Sequence, residues 1–92
     1  MPEKTFCIVS PFYNLIKHGT DSVQFYLKSL NDQNYSNYRV YMMDDASKDQ
    51  SVDYILNELP KYPYVNNRIT IIKNSQRIGA LANRDLASRN YC

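Results

Sequence analysis

The chain has 92 residues, room for one small domain or part of one, and its 43% hydrophobic and 22% charged content is that of an ordinary globular protein. A formal net charge of +2, without any Lys or Arg run, argues against a nucleic-acid partner. No apolar stretch approaches membrane-spanning length, and Met1-Pro2-Glu3-Lys4-Thr5 lacks the apolar region of a signal peptide.

Thr5 to Ser10 is a short apolar run with the length and β-branched content of a buried strand, stopped by Pro11, which cannot donate to a central ladder. A polar loop follows to Thr20. Asp21 with Gln24 matches a capping box, and Val23, Tyr26, Leu27 and Leu30 then fall on one face of a helix, with Lys28 and Asp32 facing away. Asn31 to Asn37 is rich in Asn, Asp and Ser and reads as a turn.

Tyr38 to Asp44 is a second strand, whose unbroken Val40-Tyr41-Met42-Met43 suits cover on both faces. Ser47 with Gln50 is a second capping-box match, and Val52, Ile55, Leu56 and Leu59 repeat at helical spacing until Pro60 and Pro63. Tyr62 to Asn67 reads as loop. Arg68 to Lys73 is a third, strongly β-branched strand. Ile78, Ala82 and Leu86 mark a third helix, with Gly79 and Ala80 small enough for its first turn to approach another backbone.

Strand–helix alternation of this kind implies an α/β, Rossmann-like three-layer αβα arrangement, with a parallel sheet and right-handed crossovers. The expected strand order is 3-2-1, with an exposed edge at strand one. Cys7 and Cys92 show neither metal nor disulfide spacing. Cys7, inside an apolar run, reads as a small core residue, and a reducing, cytoplasmic setting is expected.

In such a sheet the loops Pro11 to Thr20, Asp45 to Ser47 and Asn74 to Arg77 share one edge, where α/β folds bind ligands. They offer an aromatic ring, carboxylates, an amide and a guanidinium. That set suits a nucleotide: a Tyr ring stacks on a base, a carboxylate accepts the ring N–H of uracil, and Arg answers phosphate. Each residue also has a plainer reading. Asp44 and Asp45 read equally as helix-start charges, Ser47 as a cap, Asp49 as a solvated first-turn charge, and His18 and Arg77 as surface loop residues. Tyr26, Tyr54 and Tyr62 read as packing residues. No Gly-x-Gly-x-x-Gly or Gly-Lys-Ser/Thr follows a strand, which disfavours dinucleotide and P-loop binding.

Four stretches, in order, carry a family resemblance: Ile8-Val9-Ser10-Pro11-Phe12-Tyr13-Asn14; Leu30 to Tyr38, with Gln33, Tyr35 and Asn37; Met43-Asp44-Asp45-Ala46-Ser47-Lys48-Asp49; and Ile72-Lys73-Asn74 followed by Arg77-Ile78-Gly79-Ala80-Leu81-Ala82-Asn83. Together they resemble the nucleotide-binding half of the family 2 glycosyltransferases and cover nearly the whole chain. The resemblance implies a GT-A fold, of which residues 1–92 are the N-terminal part, truncated before the metal-binding Asp-x-Asp. It implies a nucleotide-diphosphate sugar as partner, with UDP as the expected nucleotide, and Mg²⁺ or Mn²⁺ as cofactor, its ligands outside this chain. Pro11, Tyr13 and Asn14 are the implied nucleotide-binding residues of the first loop, Asp45 the partner of the uracil edge, and Arg77 a further nucleotide neighbour. No catalytic residue falls in the chain, and this piece alone is expected to be inactive. Ala46 stands where the family usually has Gly, a change tolerated unless the residue needs positive φ. The donor sugar, the acceptor and the stereochemical outcome are not encoded here, and a Golgi or membrane-associated parent stays open. The rival readings are a receiver-like signalling module, disfavoured because strand one ends in Ser-Pro and strand three in Lys-Asn, and a degenerate glycosyltransferase fold kept as a binding surface.

Overall fold

Three parallel strands form one sheet in the order β1-β2-β3: β1 (Phe6–Phe12), β2 (Tyr38–Asp44) and β3 (Ile69–Lys73). This is the predicted 3-2-1 order read from the other side. The computed structural model describes residues 5–33 and 37–92, with the side chains of Lys17 and His18 outside the description. The readings made for Met1 to Lys4, for Asn34, Tyr35 and Ser36, and for the His18 side chain therefore lie outside the described residues. Among the described residues five helices connect and flank the strands: α1 (Leu15–His18), α2 (Asp21–Asp32), α3 (Ser51–Glu58), α4 (Pro63–Asn66) and α5 (Ala80–Asn90), with a 3₁₀ turn at Leu59–Lys61.

The register sorts the strand residues onto two faces. Ile8 lies opposite Val40 and Val40 opposite Ile69; two residues on, Ser10 pairs with Met42 and Met42 with Ile71. That face meets Val23, Leu27 and Leu30 of α2, Val52 and Ile55 of α3, Leu59 and Val65 in one apolar core. Leu27, Val40, Ile55 and Val65 are fully buried, and each contributes roughly 1.5–3 kcal/mol by leaving water. Tyr26, Tyr54 and Tyr62 pack against this core, as expected of packing residues. The other face carries Val9, Tyr41 and Met43, and α5 crosses it.

Several boundaries differ from expectation. Strand β1 does not stop at Ser10 but continues through Pro11 to Phe12. Phe6 donates its N–H to Asn37 and Phe12 accepts from the Asp45 N–H, so even-numbered residues face β2. Pro11, out of phase with them, turns its missing donor to the free edge, where a ladder loses nothing. Neither capping box forms. Helix α2 begins at Asp21 with Thr20 as its N-cap residue, and no side chain caps it. Helix α3 begins three residues later than the Ser47 match implies, because Ser47 is engaged elsewhere; the Asp49 carboxylate instead accepts the Ser51 N–H at 3.0 Å. Asp49 is thus a half-buried turn-maker rather than a solvated charge.

Pro63 opens α4 instead of ending a helix, since a first-turn residue needs no N–H. Within α3, Leu56 faces solvent, and Glu58 takes the inner position. Glu58 is held there by Gln24, by Tyr54 at 2.9 Å and by Lys61 at 2.6 Å. Helix α5 is turned relative to the predicted face: Asn83 and Ala87 are buried, while Ala82 is exposed and Leu81 is 81% exposed. Cys7 is not a core residue. It is exposed at the start of the edge strand and disulfide-bonded to Cys92, with the two Cα atoms 5.9 Å apart.

Candidate functional site

The three loops at the carboxyl end of the sheet meet, and short polar contacts lock them together. The peptide after β2 is bound on both sides: Asp45 donates its N–H to the Phe12 carbonyl and Asn74 donates to the Asp44 carbonyl, each at 2.9 Å. Asp44, buried, accepts the Ser47 N–H at 3.0 Å. Between them Ala46 takes the left-handed conformation at φ 61. This is the circumstance under which Ala in place of Gly carries a cost, about 1 kcal/mol. Asn14, also left-handed at φ 52, faces this turn. Its N–H donates to Ser47 Oγ at 2.9 Å and its Oδ1 accepts the Lys48 N–H at 2.8 Å. Ser47 is therefore not the cap of α3 but the bolt between the first two loops.

The second bolt is Asp45. Its carboxylate, only 4% exposed, accepts the Ile78 N–H at 2.7 Å and the Gly79 N–H at 3.1 Å. Gly79 at φ 89 supplies the backbone turn that aims both donors at one carboxylate. Burial pushes the Asp45 carboxyl up, but the Ile78 N–H, the Asn83 side chain, the Gly79 N–H and the Asn74 side chain outweigh it and hold the group down at about 2. Asp45 is therefore a fixed anion at neutral pH.

Arg77 lies above this anion. Its Nε is 3.5 Å from Asp45 Oδ2, and its guanidinium carbon sits 3.8 Å from the centre of the Tyr13 ring. The Arg77 side chain is 62% exposed, so the ion pair itself contributes under about 1 kcal/mol. Pro11, Phe12, Tyr13, Asp45, Arg77, Ala80 and Asn83 line one cleft of about 170 Å³.

Four of the five residues singled out from the sequence thus border a single cleft: Pro11, Tyr13, Asp45 and Arg77. Asn14 lies behind it, in the hydrogen bonds that join the loops. Asn83, the last residue of the fourth sequence stretch, also lines the cleft. It is fully buried, accepts from Asn74 Nδ2, and donates to the Gly79 carbonyl at 2.9 Å. An Asn inside a helix, where it is a weak helix former, was the available signal. Chemically, the cleft offers an aromatic face, a fixed carboxylate and a movable cation. Among the described residues no three His, Cys, Asp or Glu side chains converge as a metal site requires, and no helix is long and apolar enough to cross a membrane.

The model of the family described as glycosyl transferase family 2 matches residues 7–90. No curated protein and no solved structure matches the chain. The match runs from the first strand through α5 and takes in every loop that borders the cleft. With the parallel sheet and the ordered loop motifs already in place, the chain belongs to glycosyl transferase family 2.

Proposed function

We propose that this chain forms the nucleotide-sugar-binding part of a glycosyltransferase that moves a sugar from a UDP-activated donor to an acceptor hydroxyl. The observation that carries the reading is the convergence of Pro11, Tyr13, Asp45 and Arg77 on one cleft at the carboxyl edge of the sheet. In this reading the Tyr13 ring stacks on the base and Pro11 borders it. Asp45, kept ionised by its backbone donors, uses remaining lone pairs to accept the imide N–H of uracil. Adenine presents a ring acceptor in that position and is rejected by the same carboxylate. Arg77 swings from the Tyr13 face to the diphosphate. Asn14 acts as a positioning residue, holding the first loop to the second.

A divalent ion, Mg²⁺ or Mn²⁺, would supply charge neutralisation for the leaving diphosphate in the reaction proposed for the whole enzyme. Among the described residues no three His, Cys, Asp or Glu side chains converge to hold such an ion, and in this reading neither its ligands nor the base that deprotonates the acceptor are assigned to these residues. This part by itself binds donor and does not turn it over.

Calorimetric titration of UDP and of ADP, each with Mn²⁺, tests the reading on the chain and on Tyr13→Ala and Asp45→Asn variants whose folding is checked by circular dichroism. The expected result is binding of UDP at least tenfold tighter than ADP, weakened tenfold or more in each variant. Equal affinity for UDP and ADP, or UDP binding untouched by both substitutions, overturns it.

A further inference from the structure

Helix α5 is attached differently from the others. Helices α2 and α3 are held along their length by apolar side chains. Helix α5 buries only Asn83 and Ala87, and its most apolar outward residue, Leu81, is 81% exposed. What holds it is concentrated at its two ends. At the start, Asp45 grips the Ile78 and Gly79 N–H groups, and Asn83 hydrogen-bonds Asn74. At the finish, the Tyr91 ring stacks on Tyr41 at 5.3 Å and Cys92 is joined to Cys7 on β1. The Cα separation of 5.9 Å is that of an ordinary disulfide.

Both cysteine residues are exposed at the protein surface. The same helix supplies Ala80 and Asn83 to the cleft wall, and the residues just before it supply Arg77. A change at the far end of α5 therefore has a short rigid path to the cleft.

We propose that Cys7–Cys92 is a redox latch on α5: oxidised, it pins the helix across the sheet and keeps the cleft wall in place; reduced, it lets the helix loosen from its C-terminal end. A dithiol reductant opens the latch by exchange. Its thiolate attacks one sulfur, the sulfur–sulfur bond breaks, and the other cysteine leaves as a thiolate that takes up a proton. The second reductant thiolate then resolves the mixed disulfide. Two cysteine thiols and one oxidised reductant result, and two electrons have passed to the protein. After opening, the last turn keeps the buried Ala87 and the Tyr41–Tyr91 stack as its contacts with the sheet side, and a single aromatic pair beside one small residue is a weak anchor.

The test needs no ligand and so stands apart from the nucleotide reading. Hydrogen exchange, read by mass spectrometry, is compared in the chain purified without reductant and after treatment with dithiothreitol, with alkylation counting the free thiols in each sample. The Cys7→Ser/Cys92→Ser variant, without reductant, stands in for the open form. The latch predicts exchange over residues 80–92 at least tenfold faster on reduction and in the variant, with protection of the segments around Leu27, Val40 and Ile55 unchanged. Three results overturn it: equal exchange over residues 80–92 in both redox states, two free thiols in protein never exposed to reductant, or loss of protection throughout the sheet on reduction. The last would make the bond a staple of the whole fold rather than a latch on one helix.

Discussion

The two faces of the sheet are covered by different physics. Helices α2, α3 and α4 meet the Ile8/Val40/Ile69 face through a continuous apolar core. Helix α5 meets the Val9/Tyr41 face through a buried asparagine, an alanine, a ring stack and a disulfide. Apolar contact is non-directional and tolerates small shifts, so the first face makes a scaffold. Hydrogen bonds to a fixed carboxylate are directional, so the second face sets positions. The cleft lies where the directional contacts are.

Substitutions can break this contrast. Leu27 is fully buried in the apolar face, so Leu27→Ala should lower unfolding free energy by about 2–5 kcal/mol in urea titration and leave the Asp45 contacts intact. A loss confined to α5 would show that the two faces are not independently held.

On the other face, Asp45→Ala strands the Ile78 and Gly79 N–H groups. The expected loss is about 1–3 kcal/mol, with faster exchange at those two amides. The same group sets an acid dependence. Its folded pKa of about 2 lies below the value of about 3.9 usual for an unfolded Asp, so its contribution is complete above that higher value. It disappears as pH falls from about 4 to about 2. Stability measured across that interval should fall less steeply in Asp45→Asn than in the unsubstituted chain; parallel curves would show that Asp45 is not the anchor described.

A smaller effect sharpens the view of the loop itself. Ala46 at φ 61 occupies a conformation suited to glycine, so Ala46→Gly should stabilise the protein by about 1 kcal/mol in thermal or chemical denaturation. Smallest of all, the Lys28–Asp32 pair is exposed on both partners. Lys28→Ala should change stability by under about 0.5 kcal/mol, and that little should vanish in high salt.

The legible part of the molecule is the part built on periodicity. The helical spacing of Val23, Leu27 and Leu30 and the unbroken Val40-Tyr41-Met42-Met43 run foretold a buried helix face and a central strand, because burial on one or two faces leaves a pattern along the chain. The site was legible as a set of residue types at strand ends, and Pro11, Tyr13, Asp45 and Arg77 do share a cleft. The misreadings have a common origin in local signals overruled by distant partners. Ser47 looked like a cap, but the Asn14 N–H, 33 residues away in sequence, claimed its hydroxyl. Ile78 and Ala82 looked like an inner helix face, but the Asn83 contacts turned the helix. Cys7 looked like core until Cys92 met it across a sequence separation of 85.

The sequence by itself determined the order of the three strands and the three longer helices (the short helices α1 and α4 fall in stretches that read as loop), the parallel sheet, the apolar core and the family. Each depends on patterns of neighbouring residues, and those patterns are written along the chain. Only the tertiary structure decided that Asp45 holds the Ile78–Gly79 turn, that Asn14 bolts one loop to the next, and that Arg77 lies on Tyr13. These are hydrogen bonds and stacks between residues more than thirty positions apart, and their partners are chosen by geometry that exists only once the sheet has brought its loops to one edge.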